Sequence, residues 1–115
     1  MRLNTLLAPM LAVTAAADRV WVDAVRTPDS VSAPRSVWYN DFDSTWRVSF
    51  SPGCRVPGVT NIGELCVDWR NRRARFFAFG AKRCMKPAAG GKYHEYAGQA
   101  SYPFTEWWYE VTCGW

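Results

Sequence analysis

A histidine close to carboxylates and tyrosines is the residue set that could cleave a phosphodiester. The chain has one such place, Tyr93-His94-Glu95-Tyr96 followed by Glu106. General acid/base catalysis divides the work between a protonated and a deprotonated group, and Glu with His can fill those roles. His94 is the sole histidine, so no second imidazole completes a pair, and the alternative role for His94 is that of a surface residue. No G-x-S-x-G marks a serine nucleophile. Cys54, Cys66, Cys84 and Cys113 contain no CxxC spacing, and one histidine cannot complete a Cys/His ligand set, so neither a metal site nor a cofactor is expected.

Two further sets could bind rather than react. Arg70, Arg72, Arg73, Arg75, Lys82, Arg83 and Lys86 fall within seventeen residues that hold no Asp or Glu. Guanidinium groups beside Phe76 and Phe77 can grip phosphates bidentately and stack on bases, and a short Arg-rich run is also what a nuclear-import receptor reads. The bland alternative is a charged turn that keeps a hydrophobic hairpin soluble, and because they lie at that turn, at least Arg70 and Arg72 are expected to be solvent-exposed. The other set is aromatic: Trp107, Trp108, Tyr109 and Trp115. Neighbours on a strand point to opposite faces, so Trp107 and Trp108 cannot share one core, and the outward one can seat a protein partner or stack on a sugar ring.

The elements that must position these residues are strands. After residue 17 the chain has one leucine and one isoleucine, against ten valines and all eighteen aromatics. Helical cores draw on Leu and Ala, whereas β-branched and aromatic residues suit a pleated surface. Alternation predicts strands over residues 20–25, 37–42, 44–50, 65–69, 73–79 and 106–113, with an edge or short strand at 82–86. Residues 28–35 and 51–63 read as loops, residues 70–71 as a tight turn, and 93–104 as weakly patterned. The expected fold is mainly β: an antiparallel sandwich or small barrel of five to seven strands whose interior includes Trp46, Val48, Phe50, Val67, Phe76 and Val111.

Residues 1–17 stand apart, with Arg2 as their one charge and no aromatic. The basic start, the apolar run from Leu6 to Ala16 and the small residues Ala15-Ala16-Ala17 form a signal peptide, cut before Asp18. That run is shorter than the roughly 20 residues that span a bilayer, so no membrane anchor is expected. The formal charge of +4 becomes +3 without Arg2. The domain organisation is thus a leader over 1–17 and a single β domain over 18–115, exported and monomeric. In an oxidising compartment the four cysteines make two disulfides. Loop entropy barely separates the pairings: Cys54 with Cys66 and Cys84 with Cys113 total about 6.5 kcal/mol, and Cys54 with Cys113 and Cys66 with Cys84 about 7.5. Gly53, Pro57, Gly58 and Gly63 favour the first by letting the short segment fold back.

The fragments Phe50-x-Pro52-Gly53-Cys54, Cys66-Val67-Asp68-Trp69, Arg73-Ala74-Arg75-Phe76, Lys82-Arg83-Cys84 and Trp108-x-Glu110-Val111-x-Cys113-x-Trp115 resemble small secreted cysteine-containing proteins of filamentous, often plant-associated, fungi. The resemblance covers about residues 44 to 115. It implies a disulfide-held β fold, export during colonisation, and an effector that binds a host protein to modulate immunity without chemistry of its own, outside cells or after uptake, including into the nucleus. It carries over no functional residue. The stretch around His94 is similar to the Tyr/His/Glu strand of small secreted fungal ribonucleases, whose second histidine is missing here. The rival classes are therefore a small secreted nuclease, a glycan-active protein using the Trp end, and an antimicrobial protein.

Overall fold

A computed structural model describes residues 17–88 and 101–115. The first sixteen residues of the expected leader, and the Tyr93-His94-Glu95-Tyr96 stretch, lie outside the described residues. Nine strands follow in chain order: β1 (Arg19–Arg26), β2 (Val31–Ser32), β3 (Ser36–Tyr39), β4 (Thr45–Val48), β5 (Gly53–Arg55), β6 (Ile62–Asp68), β7 (Arg73–Ala78), β8 (Ala81–Pro87) and β9 (Tyr102–Val111). No described residue is helical, as the scarcity of leucine predicts. The count exceeds the expected five to seven because β2 and β5 have only two and three residues. Such segments are too short to show a period, and they exist through their ladders with β1 and β6.

All pairings are antiparallel within one sheet, ordered β4-β3-β1-β9-β8-β7-β6-β5, with β2 on the side of β1. The longest ladder joins the first strand to the last, from Arg19 opposite Tyr109 to Arg26 opposite Tyr102. The sheet is curled into a half-barrel. β3 and β7 lie four strands apart, about 19 Å on a flat sheet, yet the rings of Trp38 and Phe76 meet edge to face with centroids 4.9 Å apart. Phe50 likewise reaches Trp108 at 5.0 Å.

The concave side is the core, where Val20, Val22, Ala24, Trp38, Phe50, Leu65, Phe76, Met85 and Trp108 are buried. Val48, Phe50, Val67 and Phe76 lie there as expected, and Trp46 packs against its margin. Val111 does not. Position 111 shares the outward parity of Trp107 and Tyr109, and its side chain is 36% exposed. The period of this strand matches the alternation, but its phase puts Val111 on the outer face.

Two disulfides staple the sheet, Cys54–Cys66 and Cys84–Cys113. Cys54 sits directly opposite Cys66 across the β5–β6 ladder, so the short edge strand is tied to its neighbour. The β7–β8 hairpin closes Ala78 on Ala81 through Phe79 and Gly80, both at positive φ (54° and 79°). That is the turn whose twist matches the strands, although its first position ordinarily takes Asn, Asp or Gly.

Candidate functional site

The basic residues expected to form one patch separate because strand neighbours alternate between faces. Arg83 lies opposite Phe76, a core residue, and enters the concave side. Its Nε and Nη2 donate to Glu110 at 2.6 Å each, Nη2 stands 3.7 Å from Asp18 Oδ1, and the guanidinium lies over the Phe76 ring. The Glu110 hydrogen bonds hold the Arg83 guanidinium protonated above its ordinary range. Trp38 Nε1 donates to Asp18 Oδ2 at 2.9 Å. Burial raises the Asp18 carboxyl above its usual value despite that bond and the nearby Arg83.

Arg72 enters the core at a second place. It stands at positive φ (54°) in the β6–β7 turn, where its amide bonds Trp69 O. Its two terminal nitrogens donate to the two oxygens of Glu106 at 2.8 and 2.9 Å, and Trp108 Nε1 donates to the same carboxylate at 2.8 Å. The Arg72 side chain is 17% exposed and that of Glu106 9%. The exposure expected of Arg72 is therefore overturned: a bidentate ion pair stacked on Trp69 and Trp108 draws it inward. Arg70 is exposed at the turn, as expected.

Glu106 was the carboxylate offered for acid/base work with His94. Three hydrogen bonds from Arg72 and Trp108 hold its oxygens, so it serves the core. A cleft of about 530 Å³ is lined by residues including Arg26, Asp29, Ser30, Asp68, Trp69 and Arg70. Its one hydroxyl, that of Ser30, donates to the Val31 carbonyl, while the Ser30 main chain exchanges hydrogen bonds with the Thr27 hydroxyl.

The convex side collects the remaining features. Trp107 points outward, while Trp108, its neighbour, is completely buried. Across the ladders Trp107 is opposite Trp21, and Tyr109 opposite Arg19, which is in turn opposite Tyr39. These side chains form one cluster: Trp21 to Trp107 at 4.9 Å, Tyr39 to Trp107 at 5.5 Å, and Trp107 to Tyr109 at 6.0 Å between centroids. Arg19 lies over both Tyr39 and Trp107 and pairs with Asp43 at 2.8 Å. Lys86 continues the row, opposite Tyr109.

Beyond it, the Trp115 ring is flanked by Arg73 and Lys86, and Lys82 donates to the Trp115 carbonyl. Arg75 is exposed on this face between the two disulfides, opposite Cys66 on one side and Cys84 on the other. Arg73 also pairs with Asp68, whose carboxyl is held below its ordinary range chiefly by the Asn71 side-chain amide. The aromatic end and half of the basic run thus converge on one convex surface. Trp21, Tyr39 and Arg19 were missed, because their membership follows from the β1–β9 and β1–β3 registers, which local alternation does not reveal. Two large apolar side chains, Phe42 and Phe79, each 83% exposed, flank a separate cleft beside Asp18.

Comparison with protein-family models, curated proteins and solved structures finds no match to this chain.

Proposed function

We propose that the chain is a secreted fungal effector that binds a host protein through the convex face of its sheet and modulates host immunity. The observation that carries this reading is the Trp21–Tyr39–Trp107–Tyr109 cluster interleaved with Arg19, Lys86 and Arg73. Trp, Tyr and Arg are the residues that dominate the energy of protein interfaces. An outward aromatic cluster on a small domain also exposes apolar area that ordinarily belongs under a partner. Two disulfides fit an oxidising compartment, in keeping with the leader.

The ring geometry favours a protein over a nucleic acid or a glycan. Trp21 and Tyr39 tilt against Trp107 by 58° and 53°, and Arg19 occupies ring faces on which a base or sugar would stack. The surface cations prefer an acidic partner.

The test is suppression of a defence response in host tissue by wild type and by a Trp107→Ala/Tyr109→Ala variant with a retained β-rich circular dichroism spectrum. Loss of suppression by the variant is expected. An equally active variant would remove the face from the function. Steeply salt-dependent binding of single-stranded oligonucleotides, or turnover of RNA or polysaccharide by purified protein, would replace the protein-binding reading altogether. Localising a tagged mature form separates apoplastic from intracellular and nuclear action.

A further inference from the structure

The cluster around Asp18 is short of positive charge. Asp18 and Glu110 bring two carboxylates to the concave end of the sheet, with side chains 10% and 17% exposed, and Arg83 answers both. Asp41, from the turn after β3, adds a third negative charge to the field at Asp18. Trp38, from β3, contributes an N–H but no charge. Arg19, the nearest basic residue in sequence, is engaged on the opposite face with Asp43. One nitrogen already points at the deficit: the Asp18 main-chain N donates to Glu110 Oε1 at 3.0 Å, while the Asp18 carbonyl accepts from Glu110 N at 3.2 Å.

We infer that the mature chain begins at Asp18 and that its α-ammonium group, released by cleavage after Ala17, is the second cation of this cluster, bonded to Glu110. In the cleavage, water adds across the Ala17–Asp18 peptide bond under a signal peptidase. The Ala17 carbonyl carbon takes the hydroxyl and leaves as a carboxylate. The Asp18 nitrogen takes hydrogen and, at neutral pH, a further proton. An amide donor thereby becomes a charged one in place, and its bond to a carboxylate is roughly twice as strong as the neutral version.

The cut is constrained from both sides. Removal of Asp18 itself would strip the buried Trp38 Nε1 of its acceptor. A cut further upstream would leave an amide where the charge is needed. The sequence Ala15-Ala16-Ala17 places the small residues that a signal peptidase needs at this bond. A cleft of about 290 Å³, lined by Asp18, Asn40, Asp41 and Arg83 among others, opens at the same spot and lets water reach the new end.

A free α-amino group titrates near 7.7–8.0, and two adjacent carboxylates raise that value in the folded state. The stabilisation is therefore complete below about pH 7.7 and disappears as pH rises through the raised value.

The experiment starts with intact mass and N-terminal sequencing of protein exported with its own leader, for which Asp18 is the expected first residue. Thermal melts from pH 6 to 10 then compare that protein with a chain extended by Gly-Ser-Gly-Ser before Asp18, which keeps the amide N–H and carries the ammonium away. The natural end should melt roughly 4–8 °C higher at pH 6.5, a shift typical of one substantial interaction in a domain of this size. The gap should close by pH 10 and shrink in Glu110→Gln. Should Glu110→Gln fail to fold, an NMR titration of the Asp18 α-amino group in the wild type decides instead, with a value above 8 expected. A different mature N-terminus, equal melting of the two chains at pH 6.5, or an α-amino pKa at or below the ordinary range overturns the inference.

Discussion

Arg72 and Arg75 stand three residues apart in one basic run and end on opposite sides of the same sheet. Arg72 lies in the turn and folds inward to a carboxylate held by Trp108, against the rings of Trp69 and Trp108. Arg75, on the strand itself, faces solvent between two disulfides. Trp107 and Trp108 repeat the contrast within one residue step. A dense charge run is therefore not a patch, because a pleated strand and a tight turn sort its members between a wet face and a dry one. The concave face uses arginine to neutralise carboxylates inside a Trp-lined core, and the convex face leaves Arg75 exposed to solvent.

The sharpest way to break this contrast is the tryptophan pair. Trp108→Ala removes a fully buried ring in contact with Phe50 and Trp69 and takes a donor from Glu106. Urea unfolding should show a loss of about 3–5 kcal/mol. Trp107→Ala should cost about 1–2 kcal/mol, the worth of a partly buried aromatic pair. Equal losses would erase the distinction between the faces.

Next comes the Arg72 pair. Arg72→Ala leaves the carboxylate of Glu106 uncompensated among apolar rings and should cost about 3 kcal/mol, much of it recovered when Glu106→Gln is added. A cost within half a kcal/mol would return Arg72 to the surface.

A smaller effect concerns Asp18 in protein that retains Ala17. Burial holds its carboxyl above the ordinary value of 3.8. The folded chain then binds more protons than the unfolded chain between that value and the raised one, so stability falls as pH rises through the window. Asp18→Asn keeps an acceptor for Trp38 and should flatten this fall, measured as melting temperature against pH upward from 3.8. A parallel profile in the variant would mean that another group carries the dependence.

The smallest effect belongs to the other member of the arginine comparison. Arg75→Gln should change stability by no more than about half a kcal/mol. A larger loss would show that the convex cation supports the fold.

The β class was legible because residue type carries it: valine and aromatics with hardly any leucine leave no helical core to build. The disulfide pairing was favoured for a sound reason, since the glycines near Cys54 allow the chain to return, but the structure adds what spacing lacks, a direct cross-strand register of Cys54 on Cys66. The face assignment of β9 was not legible. Glu106 and Glu110 look like the outward side of that strand, and they turn inward only because Arg72 and Arg83 arrive from β-strand neighbourhoods more than twenty residues away in sequence. Alternation gives the period of a strand, while its phase follows from partners that local sequence does not show. For the same reason the convex cluster was seen only in part, through Trp107, Tyr109 and Trp115, without the β1 and β3 residues that complete it.

The ladder between β1 and β9 also sets an order of events in time. These are the first and last strands, and they face each other over eight positions from Arg19–Tyr109 to Arg26–Tyr102. While the chain is being made, β1 has no partner on that side until the strands from β2 to β8 have been made and β9 follows them, and Cys84 waits in the same way for Cys113. Such distant pairings delay folding, since the entropy of closing the chain is lost before any contact rewards it. The sheet is completed only when β9 docks between β1 and β8.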